Sequence, residues 1–438
     1  MSDNKIDVEL LCRVEGHGGI YVEYEKSKLK KIEMRVTEGT RFFESFLKGR
    51  RFEDVPEIAS RICAICSVSH NLTAHMAIED ALGVQVTPQT LALRELLYNG
   101  EYIESHSLHV YALAAPDLLG YHSAIHMAKD HPDVVKMALD MKKLGNYMME
   151  VVGGRAIHPN TIVVGGFSRL PSNDQLWEIR DWLVTALEYG MKITDVLATL
   201  TLPVLSDNVP FYVATVPWNK RYGWMGNSLG ISDKTRFPVK KYKSITNEYM
   251  VDHSNAKWSK YKGKPIMVGA LARLNLFHEM ISARAQNYPR TLECIKKLGF
   301  EGHSDNILYN NWAQQIENIY AIEDSIWLID QILTSGINYD EPLPAIEVKA
   351  GIGYACSEAP RGTLIHSYEL DDQGRVVTAD VITPTAINWT NIEEDLRQAA
   401  TKLASETVDV IQPKLEIVAR AYDPCISCSV HLVNVVKK

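Results

Sequence analysis

The first forty residues alternate apolar and polar side chains in the way that β-strands do. Residues 20–24 and residues 29–36 show this alternation, and a polar turn at residues 26–28 separates the two runs. Because successive side chains of a strand point to opposite faces, this period of two predicts N-terminal strands within residues 1–40.

Helical periodicity dominates the chain from residue 53 onwards. Pro88 suits the first turn of a helix, where an N–H would have no partner, and Gly153-Gly154 is a typical helix stop. Ser172 or Asn173 can cap a further helix. The long predicted helices cover residues 69–82, 88–114, 133–152, 173–200 and 305–334. We expect them to form a helical core from two stretches, 53–200 and 305–335.

The rest of the chain shows weaker patterns. Residues 203–275 are rich in Pro, Gly, Tyr and Trp and predict an irregular, partly β cover. Within residues 345–431, the runs Gly362–Leu370 and Val376–Ile382 predict a hairpin. Two helices are expected after it, at about 391–405 and 413–422. The prediction is a mainly α fold with small β regions (α+β), with peripheral hairpins, and a single domain over residues 1–438.

Composition narrows the classes of function. The chain has 438 residues, 46% hydrophobic and 23% charged, as in globular proteins. A net charge of −8 argues against nucleic acid or an anionic membrane surface as the main partner. No apolar run approaches the ~18 residues that suggest a membrane span, and the polar N-terminus lacks the pattern of a secretory signal. We therefore expect a cytoplasmic protein.

The seven cysteines divide into isolated residues and pairs. Three isolated residues are expected to be packed thiols, and four form two Cys-x-x-Cys pairs, each leading towards a histidine. The isolated residues are Cys12, Cys294 and Cys356; the pairs are Cys63/Cys66 before His70 and Cys425/Cys428 before His431. Two such pairs can surround a metal with four thiolates, which suit zinc, iron or nickel. Spacing alone leaves open a structural zinc or iron–sulfur site, two redox pairs, or a buried catalytic metal.

The flanking motifs are more specific. They are Arg13-Val14-Glu15-Gly16-His17, Arg41-Phe42-Phe43-Glu44, Arg61-Ile62-Cys63-Ala64-Ile65-Cys66 with His70, Ala359-Pro360-Arg361-Gly362, Pro384-Thr385 with Asn388, and Asp423-Pro424-Cys425 with Cys428 and His431. Through these motifs the chain resembles the large, catalytic subunit of [NiFe]-hydrogenases over essentially its whole length.

The resemblance implies a nickel–iron centre. Cys63 and Cys425 would bind nickel terminally, and Cys66 and Cys428 would bridge nickel to an iron that carries one CO and two cyanides. Arg361 would lie over the metals and donate to the cyanide nitrogens. The remaining residues implied around the cofactor are Pro360, Pro384, Thr385 and Asp423.

The resemblance also implies the reaction. Dihydrogen would be cleaved heterolytically, and the proton would pass from the Cys425 sulfur to Glu15. From its neighbours alone, Glu15 would be an ordinary polar residue at a strand end. Whether Arg361 acts as an alternative base stays open.

A third metal site is implied near the C-terminal end. Its ligands would be Glu44, His431 and a backbone carbonyl near Val381, and its metal Mg²⁺ or Fe²⁺. Without the resemblance, Glu44 and His431 would be interpreted as solvated or ion-paired groups.

Departures from the family pattern indicate a branch. Ala64 stands where glycine is common, and Ser105 occupies the position of an aspartate in membrane-bound enzymes. The chain is most similar to the cytosolic, bidirectional, multi-subunit branch that exchanges electrons with NAD(P) or ferredoxin. The implied partners are an iron–sulfur small subunit, diaphorase and flavin subunits, maturation proteins and a C-terminal endopeptidase. Residues 432–438 are either a tail that the endopeptidase removes or part of a chain that needs no cleavage.

Two alternative functions remain. One is a metal-free subunit of the type found in respiratory complex I, which binds quinone or transfers electrons. The four cysteines argue against it. The other is a structural zinc protein whose cysteine pairs join the two ends of the chain.

Overall fold

The computed structural model describes residues 5–430, apart from the side chain of Asn219. The α-helices are α1 (Phe43–Leu47), α2 (Val55–Ser60), α3 (Ser67–Leu82), α4 (Pro88–Ser107), α5 (Ala115–Leu118), α6 (Ala124–Asp130), α7 (Pro132–Gly153), α8 (Asn173–Leu197), α9 (Ala270–Phe277), α10 (Glu279–Ser282), α11 (Pro289–Lys297), α12 (Tyr309–Ser335), α13 (Pro384–Lys402), α14 (Val408–Ala421) and α15 (Ile426–Ser429). A π-helix spans Leu108–Ala114, and 3₁₀ turns span Trp218–Lys220 and Val239–Ser244.

The strands form four sheets within the described residues. Their bounds are β1 (Lys5–Val8), β2 (Gly18–Glu25), β3 (Lys28–Val36), β4 (Ile162–Val163), β5 (Gly166–Phe167), β6 (Phe211–Pro217), β7 (Met225–Ile231), β8 (Arg236–Pro238), β9 (Tyr249–Val251), β10 (Ser254–Trp258), β11 (Ile266–Met267), β12 (Gly351–Ala359), β13 (Gly362–Leu370) and β14 (Val376–Ile382). β1, β2 and β3 form the N-terminal sheet, and the largest sheet has the order β11-β6-β7-β12-β13-β14, with β8 added to β7.

The long helices pack through close approaches at glycine. α4 crosses α7 at Gly145, where a Cβ would lie 2.5 Å from the backbone nitrogen of Glu104. α8 crosses α12 at Gly190, where a Cβ would lie 2.5 Å from Ile319 Cδ1. The N-terminus of α8 is closed by a capping box on Ser172. These helices confirm the predicted long-helix core and the mixed α+β class.

The largest sheet packs directly on α3, the helix that follows the first cysteine pair. A Cβ at Gly353 of β12 would lie 1.8 Å from the Ala77 carbonyl oxygen of α3, so only glycine allows this contact. β13 is buried along nearly its whole length. The hairpin of β13 and β14 has the predicted bounds. α3 covers β13, whereas β14 ends the sheet and is partly exposed.

Several further expectations need correction. The second of the last two helices begins at Val408 and not at 413, because Pro413 is accommodated inside it. The first begins at Pro384, where proline again takes the first turn. The predicted helix over 88–114 changes to a π-helix at Leu108. Strand β12 was missed, since its two glycines, two alanines and one serine weaken the strand pattern.

The three isolated cysteines differ in exposure. Cys294 and Cys356 are buried as expected, but Cys12 is exposed.

None of the helices within residues 5–430 is long and apolar enough to cross a bilayer.

Candidate metal centre

The four paired cysteines meet at one buried point. The Sγ atoms of Cys63, Cys66, Cys425 and Cys428 all lie within 4.8 Å of one another. The distances are 3.5 Å for Cys63–Cys425, 3.8 Å for Cys66–Cys428 and 2.7 Å for Cys425–Cys428. They form the only group of three or more such ligands found within residues 5–430.

Short turns aim the sulfurs inward. Cys63 lies in the turn between α2 and α3, and Cys66 is the N-terminal cap of α3, with its backbone N–H donating to Cys63 Sγ at 3.3 Å. Cys425 precedes α15, and its backbone N–H donates to Thr385 Oγ1 at 3.0 Å. Asp423 just before it adopts a φ of +51°, a left-handed conformation that reverses the chain.

The chemistry of the four thiols suits a metal. Hydrogen bonds from Cys425, Cys428 and Cys66 lower the pKa of Cys63 well below its usual value. Burial raises the pKa of Cys425 and Cys428. The cluster without metal therefore favours one thiolate stabilised by its neighbours, and a bound cation is needed to deprotonate the others. Cysteine sulfur is a soft ligand that suits nickel, iron and zinc.

Glu15 contacts the cluster directly. The Cys425 thiol donates to Glu15 Oε2 at 3.1 Å, and the Ser427 backbone N–H donates to the same oxygen at 3.1 Å. Ser427 Oγ donates to Glu15 Oε1 at 2.5 Å. The backbone also pairs, because the N–H of Ile426 donates to the Glu15 carbonyl at 2.9 Å. The Glu15 carboxylate is thus held against the sulfur by α15.

Gly16 permits this approach. Its φ is +86°, and a Cβ would lie 2.8 Å from Ile426 Cβ and 2.9 Å from the Ser427 nitrogen. A larger residue would separate the N-terminal segment from α15. The sequence motif around Glu15 therefore includes a glycine for a steric reason.

Arg361 is fully enclosed and held by Asp423. Its Nε donates to the Asp423 carbonyl oxygen at 2.9 Å and lies 3.1 Å from Asp423 Oδ1. Burial works against its charge, but Asp423 and the nearby thiolates outweigh burial and raise its pKa. Its Nη1 is buried without a hydrogen-bond partner in the described part of the chain. A buried, charged and unpartnered donor beside the cysteines fits an acceptor group on a bound metal.

The other residues predicted around the cofactor line the same region. Pro384 and Thr385 form the first turn of α13, and Thr383 Oγ1 donates to the Cys428 carbonyl at 2.9 Å. The Val268 N–H donates to Asn388 Oδ1 at 2.9 Å. Val268 packs against Gly362, where a Cβ would lie 2.5 Å from Val268 Cγ2. The motifs from three regions of the sequence are therefore joined around the turn at Pro360.

The candidate third metal site is partly described. Glu44 is buried, and its Oε1 accepts from the Val381 N–H at 3.1 Å and from Lys257 Nζ at 3.3 Å. Burial raises the pKa of Glu44. The contact between Glu44 and Val381 is thus made by the Val381 N–H, and the role of a carbonyl near Val381 stays a prediction. His431 lies outside the described residues.

Lys257 connects Glu44 to a second acid. Glu248 Oε2 lies 3.0 Å from Lys257 Nζ, and burial raises the pKa of Glu248 to about 7. When both carboxylates are ionised, the two that share the Lys257 ammonium leave one net negative charge. Glu248 Oε1 has no hydrogen-bond partner among the described residues. This charge and this free oxygen fit a nearby divalent cation.

Several residues near the site were missed from the sequence. No distinctive local motif marks Ser427, Thr383, Glu101 or Arg273. Only the spacing of these residues from the cysteines and Arg361 could have indicated a role. Fully buried Glu101 accepts the backbone N–H groups of Val68 and Ser69 at 2.8 and 3.1 Å, and so stabilises the first turn of α3. His70 contacts His366 at 3.2 Å. Ser105 is buried, and its hydroxyl has no partner in the described chain.

Comparison with known families and relatives agrees with this geometry. The family model for nickel-dependent hydrogenases matches residues 41–137 and 224–431. The chain is 37% identical over 430 residues to sulfhydrogenase 1 subunit alpha of Pyrococcus furiosus, covering 98% of each chain. It is 26% identical over 488 residues to the NAD-reducing hydrogenase HoxS subunit beta of Cupriavidus necator, covering 98% of this chain and 95% of the relative.

Solved structures show the same architecture. A crystal structure of an NAD⁺-reducing [NiFe]-hydrogenase in its H₂-reduced state superposes with a TM-score of 0.82 at 25% identity, covering 98% of this chain and 100% of the other. The [NiFeSe]-hydrogenase of Dm. baculatum shares the fold, with a TM-score of 0.74 at 22% identity and the same coverage. The buried four-cysteine site, the family match and the full-length relatives lead to one conclusion: this chain belongs to the nickel-dependent hydrogenases, as a large subunit of the [NiFe] type.

Proposed function

We propose that this chain catalyses the reversible cleavage of H₂ into two protons and two electrons at a nickel–iron centre held by its four paired cysteines. The observation that carries this proposal is the cluster of four buried sulfurs in contact with Glu15. When bound, the nickel–iron group, with CO and cyanide on iron, supplies the Lewis-acid and redox chemistry of the reaction.

The protein supplies ligands and a proton acceptor. In the proposed arrangement Cys63 and Cys425 would hold nickel, and Cys66 and Cys428 would be ligands of both nickel and iron. A proton released at the centre moves from the Cys425 sulfur to Glu15 Oε2, along the 3.1 Å contact between them. The Ser427 N–H and hydroxyl both donate to the Glu15 carboxyl group and hold it against the Cys425 sulfur.

The surrounding residues orient and enclose the centre. The unpartnered Nη1 of Arg361 would donate to a cyanide nitrogen of the bound group, which is an acceptor that needs a buried donor. Asp423 holds Arg361 in place, and Thr385, Pro360 and Pro384 complete the enclosure. Burial of the four cysteines keeps bulk water away from the reacting atoms.

Electrons require a partner subunit. Both named relatives are designated subunits, one alpha and one beta, of larger hydrogenases, which supports a multi-subunit enzyme. We infer an iron–sulfur small subunit that accepts the electrons, with diaphorase and flavin subunits beyond it and NAD(P) or ferredoxin as the final acceptor. Hydrogen-dependent reduction of NAD, NADP and ferredoxin by the purified complex identifies that acceptor.

A magnesium or ferrous ion is proposed beside Glu44, with Val381 and His431 completing its ligands. The net negative charge of Glu44 and Glu248 around Lys257 supports a cation there. We expect Glu44→Gln to lose one magnesium or iron per chain and to retain nickel, as measured by elemental analysis. Unchanged metal content would exclude Glu44 as a ligand.

Maturation and location follow from the same proposal. Maturation proteins would build the iron ligands, and an endopeptidase would remove residues 432–438 after nickel insertion. Intact-mass measurement of active enzyme distinguishes a chain that ends at His431 from one that ends at Lys438. Cell fractionation tests the predicted cytoplasmic location.

Elemental and infrared analysis tests the function itself. The purified complex should contain nickel in the large subunit and infrared bands of one CO and two cyanides, and it should reduce a dye with H₂. Zinc in place of nickel, without those bands, would support the structural zinc protein. A chain without metal in the cluster would support the subunit of the complex I type.

A further inference from the structure

The guanidinium of Arg273 uses all five of its N–H donors. Nε and Nη2 donate to the two oxygens of Glu317 at 2.6 and 2.7 Å. Nη1 donates to Glu358 Oε2 at 2.8 Å and to the Ala359 carbonyl at 3.1 Å. Nη2 also donates to the Pro360 carbonyl at 3.0 Å. Arg273 is 1% exposed, so water does not compete for these bonds.

Two of these bonds hold the backbone next to Arg361. The carbonyls of Ala359 and Pro360 belong to the last two residues before Arg361, and their positions fix the direction in which its side chain leaves the turn. The Tyr102 hydroxyl, 3.0 Å from the same Ala359 carbonyl and from the carbonyl of Glu358, supports them from α4. The Arg273 guanidinium lies 5.3 Å from the centre of the Tyr102 ring.

The anchor points of Arg273 come from separate parts of the fold. Glu317 belongs to α12, and Glu358 belongs to β12, where its Oε1 also accepts from the Thr215 N–H of β6 at 2.6 Å. Arg273 itself lies in α9. Arg273 therefore fixes the position of the turn at Pro360 relative to both the helical core and the large sheet.

Stability alone is a weak explanation for this arrangement. Burying a guanidinium and two carboxylates costs desolvation energy that their attraction only partly offsets, and apolar replacements of such groups are often neutral or stabilising. A planar guanidinium, however, can hold two carbonyls and a carboxylate in a fixed geometry, which a lysine cannot do. The arrangement thus favours precise placement of the turn.

The side chain of Arg361 is held from the opposite direction. Asp423 binds its Nε, and Gln314 Nε2 in turn donates to Asp423 Oδ2 at 3.1 Å. The backbone is held by Arg273 and the guanidinium by Asp423. Nη1 stays without a partner in the described residues, and its direction depends on both supports.

We propose that Arg273 is a positioning residue that sets the direction of the Arg361 guanidinium at the metal centre. This inference rests on the proposed function, since it assigns Arg361 to the cyanide ligands. Arg273 touches neither the cysteines nor the reacting atoms. It acts through the carbonyls of Ala359 and Pro360.

Infrared spectroscopy of the holoenzyme complex tests the proposal. Arg273→Lys keeps the positive charge but cannot hold both carbonyls and both carboxylates. We expect nickel and iron to be retained, the cyanide bands to shift by a few wavenumbers, and hydrogen/deuterium exchange to fall about tenfold or more. Amide hydrogen exchange of the peptide over residues 358–363 should also accelerate in metal-free protein.

Arg94→Lys is the matched control. Arg94 is equally buried and binds Glu79 through two bonds of 2.8 and 2.6 Å, away from the Pro360 turn. It should lower thermal stability and leave the cyanide bands in place. Unchanged bands and exchange in metal-loaded Arg273→Lys would overturn the proposal.

A second variant covers poor folding of the first. Tyr102→Phe removes only the hydroxyl that supports the Ala359 carbonyl, and it should shift the cyanide bands in the same direction by a smaller amount. If Arg273→Lys fails to accumulate with metal, wild-type bands in Tyr102→Phe overturn the proposal. Absence of nickel and cyanide bands from the wild-type complex would instead reject the proposed function.

Discussion

The thiol of Cys425 lies 3.1 Å from Oε2 of Glu15, although 410 positions separate the two residues in the chain. Glu15 follows the first strand of the protein, and Cys425 precedes its last described helix. The two ends therefore meet at the sulfur cluster.

Glu15→Gln should nearly abolish proton transfer from the centre. The amide keeps the size of the side chain and can still accept from Ser427, but it cannot take up a proton at neutral pH. We expect hydrogen/deuterium exchange to fall by about 10²- to 10⁴-fold, the usual range for loss of a general base. Nickel and iron content should match the wild type. Wild-type exchange in the metal-loaded variant would remove Glu15 from the mechanism.

Gly16→Ala should disturb the same contact through sterics. The new Cβ would lie 2.8 Å from Ile426 Cβ in a backbone with a φ of +86°. A left-handed conformation costs about 1–2 kcal/mol for a residue with a Cβ, and the clash adds to it. We expect lower stability towards urea and a fall in hydrogen/deuterium exchange.

Gly49→Ala separates the two causes. Gly49 has a φ of +77°, and no atom lies within 4 Å of a Cβ placed there. It should show the conformational cost alone and retain normal exchange. Equal losses of exchange in both variants would contradict a local effect of Gly16 on Glu15.

Cys63→Ser should prevent nickel binding. An alcohol stays protonated where a thiol becomes a thiolate ligand, so one of four soft ligands is lost. We expect nickel content near zero by elemental analysis. Cys356→Ser is the control, because Cys356 is buried away from the cluster. Its Sγ lies 3.6 Å from the Gly226 carbonyl oxygen. Nickel at the wild-type level in Cys63→Ser would argue against the assigned ligand set.

Asp395 should make stability depend on pH. Burial raises the pKa of Asp395 to about 6 from a usual value of 3.8. The folded state therefore binds the proton more tightly than the unfolded state. The resulting stabilisation is complete below about pH 4 and is lost as the pH rises through about 6.

Asp395→Asn removes this titration. The two pKa values differ by about 2 units, so the difference in unfolding free energy across the window is at most about 3 kcal/mol. Urea unfolding of metal-free protein between pH 4 and pH 7 measures it. We expect a flatter profile for Asp395→Asn, and parallel profiles for variant and wild type would contradict the raised pKa.

The sequence predicted the bounds of the hairpin strands better than it predicted which elements pack over them. The bounds of the hairpin strands Gly362–Leu370 and Val376–Ile382 agree with the structure, because their pattern and turn are local. The burial of β13 was not predictable, since it depends on α3 lying over that strand. Pro413 inside α14 misled the prediction of that helix, because proline is compatible with a helix when only one backbone bond is lost.

The candidate site shows the same division. The spacing of each cysteine pair is a local property, so the sequence identified all four residues. Arg273, Glu101 and Ser427 escaped notice because each contacts a site residue that is distant in the chain or has no motif of its own. Their roles depend on which backbone groups the fold brings to them.

The sequence by itself determined the family, the four cysteines that form the cluster and the mixed α+β character of the protein. These follow from short motifs and from periodicity, which local chemistry specifies. Only the tertiary structure decided that Glu15 touches Cys425, that Lys257 lies between Glu44 and Glu248, and that Arg273 supports the Pro360 turn. The reason is physical: these contacts join residues from distant segments, and their geometry is set by packing of the whole core.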